Sequence, residues 1–335
     1  MSLTFASQAD RQFDCVVCGS CVVDVLVRPV DLSRPIGTGT LVRTEPLALR
    51  TGGIVSNAGI TLARLGMRTA AMTYLGDDEW AAVIRSRYEA EGIDCRGLAT
   101  LSGSPSSTSA VLIDERGERS FLHAVGAPKR LDQRAFLERL ELFAASRAML
   151  LGYYPLLPNL LPDLPAVLAA IRATGCVTAL DAAGDGGDLE PLRAILPHVD
   201  LYVPSRAEAA HQTGTSDPAK MIAAFRDAGA AGIVGVKLGA EGALLSPAPG
   251  ALRRISAVKP PGPIVDTTGA GDCFLGGLLA GLLRGLPLAD AGRLAAAAGA
   301  CCVTALGATT AIRNYDETAQ LAGIATTAEH AAKRI

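Results

Sequence analysis

Asp266-Thr267-Thr268-Gly269-Ala270-Gly271-Asp272 sets two carboxylates and two hydroxyls around a turn of small residues, just before a long apolar run. Pro263-Ile264-Val265 precedes it and reads as a short strand, and the apolar run reads as a helix over 271–284. Small residues let backbone N–H groups crowd around one point, and a helix N-terminus adds partial positive charge there. An anion is the natural occupant, yet Asp272 brings a negative charge to the same point. Amides that hold a moving phosphoryl group, beside a carboxylate that takes a proton, suit phosphoryl transfer to a hydroxyl. In that chemistry the N–H groups of Gly269, Ala270 and Gly271 stabilise the transferring group and Asp272 is the base. The plainer alternative is a glycine-rich turn with Asp272 as a helix cap.

Three further groups can do chemistry. Gly52-Gly53-Ile54-Val55-Ser56-Asn57-Ala58 opens an amphipathic helix that ends at Gly66. Paired glycines admit a close ligand, and Asn57 offers both a donor and an acceptor, as a polyol requires; a local cap is the alternative. Asp24 follows the first strand, where a carboxylate can accept two hydroxyl hydrogen bonds. Lys237-Leu238-Gly239-Ala240-Glu241-Gly242 follows the strand Gly232-Ile233-Val234-Gly235-Val236. Gly239 and Gly242 make a flat turn against which a purine or phosphate can lie, and Lys237 can neutralise phosphate charge. Ser205 and Glu208, three apart at a helix start, share one face.

The string DTTGAGD on a strand-to-helix junction resembles the C-terminal signature of the ribokinase-like (phosphofructokinase B type) carbohydrate kinases. GGxxxNxA followed by Ala63-Arg64-Leu65-Gly66 resembles the N-terminal signature of the same family. The resemblance spans residues 14–312, with both signatures in the expected order. It implies an ATP-dependent kinase that moves the γ-phosphate to an exposed, usually primary, hydroxyl of a sugar. Asp24, Gly53 and Asn57 match positions that hold the acceptor, and Lys237, Gly239 and Gly242 fall in the nucleotide-binding loop. Glu208 matches an acid that organises Mg2+ through water. Ser205 stands where the family carries Asn, which puts a direct phosphate or metal contact there in doubt. Ile54 also departs from relatives with a polar residue. The resemblance further implies that Asp266 and Thr268, with backbone carbonyls near 303–308, hold a monovalent cation, K+; capping of the loop by hydrogen bonds is the alternative.

The elements that must position these groups alternate. Strands are expected near 14–19, 69–75, 147–151, 176–180, 200–203, 232–237, 242–246 and 263–265. Helices are expected at 53–65, 78–91, 132–142, 160–173, 205–213, 217–228, 271–284 and 288–305. Such alternation predicts an α/β fold with a mostly parallel central sheet and helices on both faces. Residues 21–50 and 105–125 break the rhythm; the second reads as a hairpin turning at Asp114–Gly117. Together they are expected to form a small β lid over the acceptor, which also makes a homodimer through the lid plausible. Gly276, Gly277 and Gly281, each costing up to about 1 kcal/mol in a free helix, are expected to allow close helix-to-sheet packing. The expected organisation is a flexible tail over 1–12, one kinase domain over 13–315, and a helical tail over 316–335.

Composition narrows the function classes. With 31 basic and 33 acidic residues among 335, the chain advertises no nucleic-acid partner. No apolar run nears the ~20 residues a membrane span needs, and the N-terminus lacks a signal-like pattern, so a cytoplasmic location is expected. Of eight cysteines, Cys15, Cys18 and Cys21 mimic a metal loop. On a strand Cys15 and Cys18 face opposite sides, which argues for core thiols. Gly19-Ser20-Cys21-Val22 lacks G-x-G-x-x-G, which disfavours a dinucleotide dehydrogenase. Two alternatives remain at this level. One is a nucleoside kinase, with Tyr153, Tyr154 and Phe121 as a slot for the base. The other is a sensor that kept the pocket without the chemistry.

Overall fold

The computed structural model of the chain describes residues 3–33, 37, 39 and 41–325. Its strands, in chain order, are β1 Phe13–Gly19, β2 Val22–Val27, β3 Ala48–Gly52, β4 Thr69–Leu75, β5 Asp94–Thr100, β6 Thr108–Ile113, β7 Arg119–Ala124, β8 Ser146–Gly152, β9 Val177–Leu180, β10 Leu201–Tyr202, β11 Ile233–Lys237, β12 Ala243–Ala248 and β13 Ala251–Ile255. The central sheet runs β13-β12-β11-β10-β9-β8-β1-β4-β5. Pairing is parallel from β5 to β11 and antiparallel at β12 and β13. All residues of β1 are buried, as a strand covered on both faces requires. Cys15 and Val17 enter the apolar core on one face of the sheet, and Val16 and Cys18 enter the core on the other. The thiols therefore diverge. All eight cysteines are free, burial pushes Cys15 and Cys18 up, and no metal-ligating cluster occurs among the described residues.

Parallel order brings the C-terminal ends of β1, β8, β9 and β11 to one edge of the sheet, where open α/β sheets build their sites. Tyr153, Asp181 and Lys237 all leave the sheet there. The helix Ala270–Leu283 is almost entirely buried, between the helices Gly53–Arg64 and Leu288–Cys302. Its glycines do allow close approach, but to helices rather than to the sheet. A Cβ on Gly277 would lie 2.9 Å from the Ala295 Cα, one on Gly281 2.7 Å from the Ala291 Cα, and one on Gly276 3.0 Å from the Ala58 carbonyl oxygen.

The expected lid is present as a second sheet, in the order β3-β2-β6-β7. Leu26, Val111 and Ile113 bury its inner face, and the β6–β7 hairpin closes with the Gly117 N–H on the Asp114 carbonyl, 3.1 Å. Other expectations fail for local reasons. Residues 263–265 form no strand: Pro263 has no N–H to give a ladder, and Ile264 and Val265 are exposed. The single helix expected over 132–142 is two, Gln133–Leu137 and Leu140–Ala144, because Arg139 adopts non-helical backbone. Three unexpected elements, β5, β13 and the helix Leu189–Ile195, carry charged residues on partly exposed faces that blur their periodicity. Residues 3–11, expected as a tail, lie along the domain, with the Ala6 carbonyl accepting from Arg147 (2.9 Å) and that of Gln8 from Arg68 (2.9 Å). The last helix is Tyr315–Leu321; the remainder of the expected helical tail, 326–335, lies outside the described residues.

Candidate active site

Asp272 stands in the first turn of the helix Ala270–Leu283, preceded by Gly269 in the left-handed region (φ 77°). Only glycine suits position 269, because a Cβ there would lie 2.4 Å from that of Ala308 as well as forcing an unfavourable φ. The Asp272 carboxylate is buried, and its Oδ2 accepts from Asn57 Nδ2 (2.8 Å) and from the Tyr153 hydroxyl (2.7 Å). Among the described residues no hydrogen bond falls on Oδ1, so the base has one held oxygen and one unengaged oxygen. Burial pushes the Asp272 carboxyl up, while Asn57, Tyr153 and the nearby Lys237 charge pull it back. Burial and the Asp272 charge keep the Tyr153 phenol well above its ordinary range, so it remains a donor.

Of the expected amide donors, Ala270 N–H turns back to the Thr267 carbonyl at 3.3 Å. That weakens its availability to an anion. No protein acceptor takes the N–H of Gly269, of Gly271 or of Asp272 itself among the described residues, as the opening turn of a helix leaves them. Lys237 lies beside them: a Cβ on Gly271 would sit 3.2 Å from its Nζ. The ammonium is buried and donates to Asp181 Oδ1 at 2.9 Å. Burial raises Asp181 to about 7 against the pull of Lys237, and the Asp181 charge keeps Lys237 protonated despite its own burial.

The 266–272 loop is a party wall between two hollows. On one side lies a cavity of about 260 Å³, whose walls include Asp24, Gly53, Asn57, Tyr153, Asp266 and Thr268. On the other lies a cleft of about 600 Å³, whose walls include Lys237, Gly239, Gly242, Thr267, Ala270 and Gly271. Alternate residues of one loop thus face different hollows. In the cavity, Gly53 has φ 77°, and a Cβ there would meet the Ser20 carbonyl at 2.5 Å. Burial pushes the Asp24 carboxyl up, countered by Ser109 and His123. His123 joins the cavity wall and pairs with the Ser109 hydroxyl at 3.0 Å. The Asn57 Oδ1 is buried and has no partner among the described residues, which leaves one acceptor at this wall unsatisfied by the protein.

Two expected roles shift. Ser205 closes a capping box: its hydroxyl accepts from the Glu208 N–H (3.3 Å) and the Glu208 carboxylate accepts from the Ser205 N–H (2.7 Å). Its side chain serves the helix start, and neither residue lines the cleft. The Glu208 charge nevertheless reaches Asp181, Lys237 and Asp272. The oxygens expected to hold a monovalent cation do not fit one. Asp266 Oδ1 pairs with the Arg119 guanidinium, Thr268 Oγ1 accepts from the same nitrogen at 2.9 Å, and Asp266 Oδ2 accepts from the Gly307 N–H at 2.9 Å. The carbonyls of Val303, Leu306 and Ala308 accept from Val265, Thr310 and Cys273.

Sequence reasoning missed the roles of Tyr153, Asp181 and Arg119. Tyr153 was expected only as an aromatic slot, and Tyr154 turns its hydroxyl to the Gly186 carbonyl (3.1 Å) instead of the cavity. The one local signal was position, since Tyr153 and Asp181 directly follow apolar strands at the sheet's C-terminal edge.

Comparison with known proteins supplies the family and the fold. The chain is 31% identical to a fructokinase from Klebsiella pneumoniae, covering 90% of this chain and 96% of that one. It is 26% identical to a ribokinase from Haemophilus influenzae, again over 90% and 96%. The ribokinase of Arabidopsis thaliana, solved with ribose and ATP, superposes with a TM-score of 0.79 at 22% identity, covering 93% of this chain and 99% of that one. Residues 12–314 match the pfkB family of carbohydrate kinases, and the chain belongs to that family.

Proposed function

We propose that this carbohydrate kinase binds ATP in the cleft beside Lys237 and a sugar in the cavity beneath the lid, and moves the γ-phosphoryl group between them past Asp272. The party-wall geometry of residues 266–272 carries this reading: Gly271, whose N–H has no protein acceptor among the described residues, lines the cleft, while Asp272 lines neither hollow itself and is held by two residues of the cavity wall, Asn57 and Tyr153. Asp24 and Asn57 hold the sugar hydroxyls, and Gly53 lets the backbone approach them. Asp272 Oδ1 takes the proton of the attacking hydroxyl as its oxygen bonds to the γ-phosphorus and the bond to ADP breaks. The amides of Gly269 and Gly271, with the shorter reach of Ala270, stabilise the charge on the transferring group. Gly239 and Gly242 form the floor under the nucleotide, and Ser205 supports it indirectly by fixing the helix that carries Glu208.

The charges of Asp181, Glu208 and Asp272 are all felt at one ammonium, but the three do not converge as a ligand cluster. Glu208 would hold Mg2+ through its waters, and the ion would supply neutralisation of phosphate charge. A solved Escherichia coli structure of the same fold contains ATP and Mg2+ (TM-score 0.78, 21% identity). A cytoplasmic location fits eight unpaired thiols. A lid-to-lid homodimer fits the exposed Phe121 and Leu122 on β7, and light scattering tests it.

Of the aromatic slot expected for a nucleoside base, only Tyr153 and Phe121 line the cavity and Tyr154 does not, which favours a sugar over a nucleoside. Turnover with ATP and Mg2+ over a panel of ribose, fructose, other hexoses, adenosine and inosine tests the assignment. Sugars should be phosphorylated and nucleosides should not; ligand binding without turnover on any acceptor would favour a sensor.

A further inference from the structure

Arg119 starts the return strand of the lid hairpin, β7, yet its side chain reaches the core loop on the wall of the acceptor cavity. It meets three oxygens of one loop: Asp266 Oδ1, Thr268 Oγ1 and the Val265 carbonyl, the last two at 2.9 and 3.2 Å. A carboxylate, a hydroxyl and a carbonyl are the hard oxygen donors that a monovalent metal ion would collect. Nearby, the Leu306 and Ala308 carbonyls each accept one protein donor and keep a second lone pair, so removing Arg119 leaves oxygens that can complete such a shell. The side chain is only 15% exposed and that of Asp266 6%, so solvent screens this pair little. Through Asp266 the charge reaches the Thr268 N–H (2.8 Å) and the Gly307 N–H (2.9 Å). These tie down the turn from which the Gly269 and Gly271 amides project.

We propose that Arg119 supplies from within the chain the single positive charge that this loop requires, so that turnover needs no potassium and the charge arrives only when the lid is seated. The guanidinium and a metal ion cannot share Asp266 Oδ1, because two like charges at contact distance repel. Arg119 is a positioning residue: it touches the loop that holds the phosphoryl group and acts through that loop. The lid thereby has a second task besides covering the sugar. An open lid withdraws the charge and slackens the anion-binding turn, which ties phosphoryl transfer to a closed acceptor cavity.

The proposal rests on the kinase reading and is tested so that the two can fail separately. Full-length protein is assayed with ATP, Mg2+ and an accepted sugar in potassium chloride and in choline chloride at equal ionic strength. Wild-type turnover should agree within about twofold. Arg119→Ala should lose about 5–150-fold in choline, the usual span of a coupling between sites. It should regain most of that in potassium, whereas Arg119→Lys should stay independent of the salt. Thermal unfolding supplies a readout that needs no acceptor: potassium should raise the Tm of Arg119→Ala over choline and leave wild type unchanged. Failure of every sugar with this Tm pattern intact would count against the kinase reading alone. A wild-type enzyme that loses tenfold or more without potassium would overturn the proposal. So would an Arg119→Ala enzyme that shows only a higher acceptor KM and no potassium response in kcat or Tm.

Discussion

The acceptor cavity sets five side chains with charge or hydrogen-bonding groups, Asp24, Asn57, Arg119, His123 and Tyr153, among apolar wall residues such as Val22, Val111 and Leu156. The cleft across the 266–272 loop is walled mostly by glycine, alanine and apolar residues, with Lys237 and Lys259 its charges. Side chains with fixed donors and acceptors discriminate among hydroxyl patterns, since a mismatched ligand strands a buried polar atom. Backbone amides and small residues instead accept a phosphate chain by shape and dipole, which suits a co-substrate common to many reactions. The acceptor side is also split between the core and a lid, whereas the nucleotide side belongs wholly to the core.

Substitutions on the two sides should separate accordingly. The largest effect is expected at Lys237, where Lys237→Ala leaves Asp181 buried beside Asp272 and Glu208. Removing one partner of a buried pair costs about 3–5 kcal/mol, read as a lower midpoint in urea unfolding. Without Lys237 the Asp181 carboxyl should rise further above its ordinary range. A folded-state value above the unfolded one adds stability that is present at low pH and lost as pH rises through the folded value. The variant should therefore lose most above pH 7, its deficit shrinking toward acid; a pH-independent deficit would deny that Asp181 is the stranded group.

Asn57→Ala should lower kcat/KM for the sugar by about 10–100-fold, the worth of hydrogen bonds to charged or stranded groups, while KM for ATP stays within about twofold. Equal rises in both KM values would break the division between the two sides. Tyr153→Phe should cost less, about fivefold in kcat, the worth of one hydrogen bond of about 1 kcal/mol, because Asn57 still holds Asp272 Oδ2. Its distinguishing sign is in the pH profile. A base works ionised, so activity falls as pH drops through the Asp272 pKa, and the Tyr153 hydroxyl holds that pKa down against burial. Removing the hydroxyl should move the acid limb of kcat to higher pH; an unmoved limb would leave Tyr153 a packing residue.

The contrast between the sides also explains what could be read before the structure. Gly269, Gly53, Gly239 and Gly242 were legible because a positive φ or close backbone approach leaves a mark at single positions in the sequence. Asn57 and Asp272 were legible because they follow such glycines at fixed spacing. Tyr153, Asp181 and Arg119 have partners at 272, 237 and 266, and no local pattern encodes pairings across such separations. The parallel sheet was visible in its buried apolar strands. The edge strands β5 and β13, with one face in water, were not, and Pro263-Ile264-Val265 looked like a strand only because apolar residues can also line an exposed approach to a turn.

The central claim is that Asp272, held by the cavity-wall residues Asn57 and Tyr153, is the base, and the most direct test is Asp272→Asn. Asparagine keeps the shape and an oxygen for Asn57 and Tyr153 but cannot take a proton. Turnover should fall by about 10²–10⁴, the worth of a positioned base, while the sugar dissociation constant from calorimetry changes by less than about threefold. Turnover near that of wild type, with the sugar bound as before, would contradict the account.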